Sequence, residues 1–133
     1  MISIGKYTDY VILIIDISII NINGGHQMAR KEFETLTPQM YYILLVLHVP
    51  RHGYEIMSEI SRLTDEKIKI GAGTLYTLLP RFENEGYIRL IKEENKRKIY
   101  QLTKTGQRKL KEEQDRLTMQ LQHYKEVFEH EEV

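Results

Sequence analysis

The stretch GAGTLYTLLPRFENEGY, residues 71–87, decides how the rest of the chain is read. Leu75, Leu78, Leu79 and Phe82 recur at helical spacing and mark one apolar face. The opposite face carries Gly73, Thr77 and Asn84, flanked by Tyr76 and Arg81. Gly71 and Gly73 permit a tight turn at the start, where Thr74 offers a hydroxyl to cap the first amides. Gly86 sits where a helix stops in a left-handed residue. Pro80 lacks a backbone donor, so the helix is expected to kink or end early there. A short helix with an apolar back and a polar front of this kind has the shape to lie in a DNA major groove. It also has the shape of a surface helix with a solvated front, and the stretch by itself leaves both open.

What flanks the helix separates the two. After Gly86 the period changes to two: residues 87–91 (YIRLI) read as a strand, 92–97 as a polar turn and 98–102 (KIYQL) as the returning strand. Arg89 to Lys98 holds five cations against Glu93 and Glu94, so the hairpin has a cationic tip. Upstream, Thr37-Pro38 gives a capping hydroxyl and a proline at the first helical position. Leu36, Met40, Ile43, Leu44 and Leu47 form the stripe of that helix, which Pro50 closes. Tyr41, Tyr42 and Leu45 make it apolar over more than one face, as burial against two surfaces requires. A second helix is expected over 54–64 with Ile56, Met57, Ile60 and Leu63 inward, then an extended connection over 65–70. Three helices followed by a hairpin make a winged helix-turn-helix. The fold class is mainly α with a small β hairpin, completed by a long C-terminal helix.

In that arrangement Thr74, Tyr76 and Thr77 face base edges, while Arg81 and the wing residues Lys96, Arg97 and Lys98 sit on phosphates. The last segment starts at Thr103, a helix cap, and runs through Phe128. Leu110, Gln114, Leu117, Leu121, Tyr124 and Phe128 alternate at spacings of four and three, a coiled-coil seam that a single helix cannot bury. A homodimer is therefore expected, with Leu110, Leu117, Leu121, Tyr124 and Phe128 at its interface. Tyr41 and Tyr42, with Tyr124 and Phe128, are the aromatic residues expected to line a site for a planar or amphipathic small molecule.

The expected organisation is an N-terminal extension at 1–27, a winged-helix domain at 28–102 and a dimerisation helix at 103–133. The first 27 residues hold nine isoleucines and no arginine, text that AT-rich DNA yields when read through, so native translation is expected to start at Met28. Their apolar run, residues 10–20, is too short to span a bilayer. An added strand or a membrane-surface segment are the other readings of it.

With 19 basic and 19 acidic residues the chain is no general polyanion binder, and a local basic patch on a neutral protein suits a specific nucleic-acid reader. The absence of cysteine excludes disulfides and thiol chemistry and fits a cytoplasmic location. His48 and His52 are four apart, but Pro50 between them breaks the helix that would align them on a metal. No Gly-rich phosphate loop, nucleophile elbow or acid/base carboxylate pair is present, so neither an enzyme nor a cofactor is expected. A winged-helix adaptor without DNA binding is the competing function, and the cationic tip argues against it.

The segments LTPQMYYILLVL, RHGYEIMSEI, GAGTLYTLLPRFENEGYI and KIYQLTKTGQRKL, in that order, resemble the PadR family of bacterial transcriptional regulators. The resemblance covers about Leu36 to Leu110. It implies a winged-helix DNA-binding domain, a C-terminal helix that dimerises with the N-terminal helix, repression of a nearby operon and response to phenolic or drug-like ligands. The single C-terminal helix is similar to the compact branch of that family. By position, Tyr54 and Glu55 fall in a structural signature of the second helix, and Thr74, Leu75 and Tyr76 match the start of the recognition helix. Tyr100 and Thr103 match the end of the wing and the cap of the last helix. Pro80 departs from the family pattern, and the lack of tryptophan removes the paired-tryptophan sandwich of some compact members.

Overall fold

A computed structural model describes residues 35–129 of the chain, and the expectations for residues 1–27 lie outside them. The order is α1 (Pro38–Val46), α2 (Gly53–Leu63), α3 (Ala72–Asn84), β1 (Ile88–Glu94), β2 (Arg97–Leu102) and α4 (Lys104–Glu129). Residues Leu36–Leu117 form one compact unit; α4 from Thr118 onward belongs to a second.

The core of the first unit comes from every element. Ile43, Leu44 and Leu47 from α1 and its cap, Ile56 and Ile60 from α2, Leu75, Leu79 and Phe82 from α3, and Ile88 from β1 are almost fully buried. Thr37 caps α1 as its sequence predicts, accepting a hydrogen bond from the Met40 amide at 3.2 Å with Pro38 in the first turn. The helix α2 starts one residue earlier than expected, at Gly53, and Leu63 at its end is exposed, not inward. Its exit is a turn and not an extended link. Asp65 and Glu66 adopt positive φ, and the Thr64 hydroxyl accepts from the Ile68 amide at 3.1 Å. Residues 68–70 then run without regular structure and deliver the buried Ile70 to α3.

Two expectations for α3 are corrected. Gly71 is its N-cap, with an extended backbone, so Thr74 lies inside the first turn and does not cap. Pro80 does not end the helix, which continues to Asn84. An interior proline costs about 3 kcal/mol or more. Burial of Leu78, Leu79 and Phe82 on both sides of it is worth roughly 1.5–3 kcal/mol each. The exit is also well closed. Gly86, at φ +79°, donates to the Glu83 carbonyl at 3.0 Å and Tyr87 to the Phe82 carbonyl at 2.9 Å. With the Phe82 and Tyr87 rings 6.3 Å apart, this is a Schellman ending with its apolar contact.

The hairpin exists where expected but is longer-stranded. Lys92, Glu93 and Glu94 pair with Ile99, Lys98 and Arg97, which leaves only Asn95 and Lys96 to turn the chain. Both have positive φ (52° and 63°), the requirement of a two-residue type I′ turn. Ile91 is the extra residue of a bulge between Leu90 and Lys92. Arg51 exchanges both backbone hydrogen bonds with Tyr100 at 3.0 Å and adds a one-residue third strand beside β2.

Thr103 caps α4: its hydroxyl accepts from the Gly106 amide at 3.0 Å and donates to the Gly86 carbonyl at 2.5 Å. A Cβ at Gly106 would collide with the Tyr87 carbonyl oxygen and meet Leu102 Cδ1 at 2.6 Å, so only glycine lets this turn approach Tyr87 so closely. The result is mainly helical, with a two-stranded antiparallel hairpin and a long last helix.

Candidate nucleic-acid interface

Because Leu75, Leu78, Leu79 and Phe82 all face inward, α3 must turn Thr74, Tyr76 and Thr77 outward, and all three are exposed. The Thr77 hydroxyl donates to the Gly73 carbonyl at 2.8 Å, which leaves its oxygen as an acceptor. Tyr76 is 58% exposed but its ring is not loose. It lies against Gly53, where a Cβ would stand 2.8 Å from the ring carbon Cζ and clash with the hydroxyl. Gly53 is thus the floor on which an α3 aromatic is set. Arg81 is half-buried and is not among the residues that line the groove beside this face.

That groove, about 660 Å³, runs between the start of α2, one flank of α3 and the wing, and Thr74 and Thr77 do not line it. Tyr76 and Pro80 line it from α3, His52 and Tyr54 from α2, and Lys96 and Arg97 from the wing. Lys98 lines it too, so the three wing cations named from the sequence share one groove with Tyr76. Between Lys92 and Lys98 stand four cations and two acids. Glu93 faces Lys98 and Glu94 faces Arg97 across the strands, and Lys92 pairs with Glu94 at 3.1 Å. The tip is cationic on balance, not throughout. Tyr100 closes the groove, and burial, helped by Glu83 and then Glu93, holds its phenol above the usual tyrosine range, so it brings no negative charge.

Two groove residues escaped sequence reasoning. Tyr54 is 71% exposed and lines the groove, although its motif reads as structural. The available signal was an aromatic residue on the polar side of α2. In the sequence His52 reads only as a candidate metal partner of His48. The two histidines have separate partners: His48 Nδ1 lies 3.2 Å from the Leu45 carbonyl, and His52 Nε2 lies 3.2 Å from Glu55 Oε1. Glu55 also accepts the His52 amide at 3.0 Å, which makes it the reciprocal cap of α2. Among the described residues no His, Cys, Asp and Glu group could hold a metal, and no helix is long and apolar enough to cross a membrane.

The residues of the expected seam divide. Leu110 is 8% exposed and already buried within its own chain, as is Glu113, which Arg116 grips with two hydrogen bonds. Leu117, Leu121, Tyr124 and Phe128 are all exposed, with Tyr124 and Phe128 ring centroids 5.0 Å apart. Tyr41 and Tyr42 on α1 are half-buried and meet edge to face at 5.7 Å.

Three helices, a bulged hairpin beside the third, and an outward face of hydroxyl, phenol and cationic groups define a winged helix-turn-helix protein. Residues 43–112 match the model of the transcriptional regulator PadR-like family, and the chain belongs to that family. A transcriptional regulator from Clostridium thermocellum superposes with a TM-score of 0.56 at 32% identity, over 68% of this chain and 88% of that one. RosR of H. salinarum superposes with a TM-score of 0.51 at 27% identity, over 66% of this chain and 76% of that one. A Lysinibacillus sphaericus protein described as "Uncharacterized protein X" is 38% identical over 72 residues, 51% of this chain and 66% of that relative, just under two thirds of its length.

Proposed function

We propose that this PadR-like regulator acts as a homodimeric, cytoplasmic repressor that reads a pseudo-palindromic operator with α3 and clamps the flanking phosphates with its wing. One observation carries the reading: Tyr76 of α3 and Lys96, Arg97 and Lys98 of the wing line a single groove along one flank of α3. Thr74, Tyr76 and Thr77 supply the donors and acceptors that base edges require, and the cations supply phosphate contacts. Arg81 is assigned to a phosphate as well. Two recognition helices in successive major grooves would stand about 34 Å apart along the duplex.

Self-association is supported by the exposed row Leu117, Leu121, Tyr124 and Phe128 on α4, an apolar stripe of the kind a partner helix covers. Leu110 contributes from within its own chain. Regulation by a planar or amphipathic ligand rests on the family resemblance and on two aromatic pairs, Tyr41 with Tyr42 and Tyr124 with Phe128, each offering a stacking face. Gel shift with the DNA upstream of the protein's own gene tests the reading. A retarded duplex that competitor DNA of unrelated sequence does not displace is expected; equal displacement by any DNA would remove the operator from it.

A further inference from the structure

Gly53 is the first residue of α2 and is buried. Its backbone is helical; the left-handed conformation that favours glycine is adopted by Gly86 and not by Gly53. Any L residue could hold that conformation, and alanine would hold it with less chain entropy to lose. What keeps a side chain out is space. Beyond its own turn, the three atoms nearest a Cβ at 53 all belong to Tyr76: the hydroxyl, which it would strike, Cζ at 2.8 Å and Cε1 at 3.2 Å. The glycines at the start of α3 make the contrast, since a Cβ on Gly71 or Gly73 meets nothing within 4 Å. Gly53 is therefore shaped to one residue of another helix, and that residue stands on the exposed face of α3.

We propose that Gly53 is a positioning residue for sequence reading: by leaving the first turn of α2 bare, it lets the Tyr76 ring lie back on that turn and so fixes where α3 presents its phenol to a base pair. This rests on the DNA-binding reading above. Ordinary contact begins at 3.4 Å, so a methyl at 53 drives Cζ back by about 0.6 Å. A preorganised contact tolerates a misplacement of about 0.5 Å. The ring is the part that yields, because it is exposed, whereas the fully buried Ile56 and Ile60 anchor α2. Lys96, Arg97 and Lys98 belong to the hairpin and keep their places, so the grip on phosphates is left as it was.

Gly53→Ala, Tyr76→Ala and the double variant, all as full chains, form the test. In crystals of the free Gly53→Ala chain the Tyr76 ring should have moved off α2 with the α2 backbone in place. A ring that stays while α2 shifts would overturn the proposal. The urea midpoint of Gly53→Ala should equal or exceed that of the wild type. A lower midpoint that Tyr76→Ala does not restore would show that the glycine serves the fold and not the ring. Binding is then measured by anisotropy to the duplex from upstream of the gene and to one of unrelated sequence. Gly53→Ala should lower the ratio of the two affinities about tenfold, within the range for one lost base contact, with the unrelated duplex bound as by the wild type. Its salt dependence should keep the wild-type slope, since no phosphate contact is lost. Tyr76→Ala should lower the ratio at least as far, and adding Gly53→Ala to it should change nothing further. An undiminished ratio in Gly53→Ala, or a further tenfold fall in the Tyr76→Ala background, would overturn the positioning role. A wild type that binds both duplexes equally would overturn the DNA-binding reading, while the crystal comparison decides the seating of Tyr76 on Gly53 in either case.

Discussion

The helices α3 and distal α4 carry the same kind of sequence signal and meet opposite fates. In each, large apolar residues recur three and four apart. On α3 every one of them is buried, down to Phe82 at 0% exposure. On α4 beyond Leu117 they lie open, with Phe128 at 60%. Periodicity thus states that a face needs a cover and is silent on who provides it. For α3 the cover is its own domain; for distal α4 we assign it to a second copy.

Substitutions on the two faces should therefore be read out differently. Phe82→Ala empties a fully buried ring site and should cost about 3–5 kcal/mol of unfolding free energy in urea. A cost under about 1 kcal/mol, the scale of a surface change, would mean that α3 is not anchored as described. Where α4 starts, Gly106→Ala should cost roughly 1–3 kcal/mol, because its Cβ meets the Tyr87 carbonyl and nothing flexible can yield. An unchanged denaturation midpoint would show that α4 does not dock at its first turn.

Further along α4 the expected change is in concentration dependence. Wild-type Tm should rise with protein concentration, whereas Leu121→Ser with Phe128→Ser should give a flat Tm and a monomer by light scattering. A variant that stays dimeric would place the interface elsewhere. At the wing, Lys96 occupies a left-handed conformation at a cost of about 1 kcal/mol that glycine avoids. Lys96→Gly should thus stabilise the free chain by roughly that amount while weakening DNA binding. Greater stability with unchanged affinity would leave the strained lysine without a purpose.

Much of the first contrast was legible in the sequence. Four apolar residues at helical spacing and a terminal glycine located α3 and its stop, because both rules are local. The capped starts of α1 and α4 were legible for the same reason. Other features depended on partners distant in the chain. Pro80 stays helical because burial from outside the helix outweighs its local cost. The Arg51 bridge needs β2, more than a third of the chain away in sequence, and no local pattern announces it. The wing turn reads too broadly in the sequence because its Asn-Lys pair lacks the glycine that usually marks a type I′ turn. In the site, exposed Thr74, Tyr76 and Thr77 follow from the helical wheel alone, whereas Tyr54 and His52 enter only once three elements enclose a groove.

The central claim is that the wing clamps DNA phosphates beside α3, and salt dependence tests it most directly. Binding of the wild type to its upstream duplex, followed by anisotropy across a range of salt concentrations, should weaken steeply along a straight line in log–log form. Replacing Lys96, Arg97 and Lys98 together by alanine should weaken binding and make the slope shallower by about 0.9 for each phosphate no longer neutralised. An identical slope in the two proteins would contradict the assignment of the wing to the phosphates.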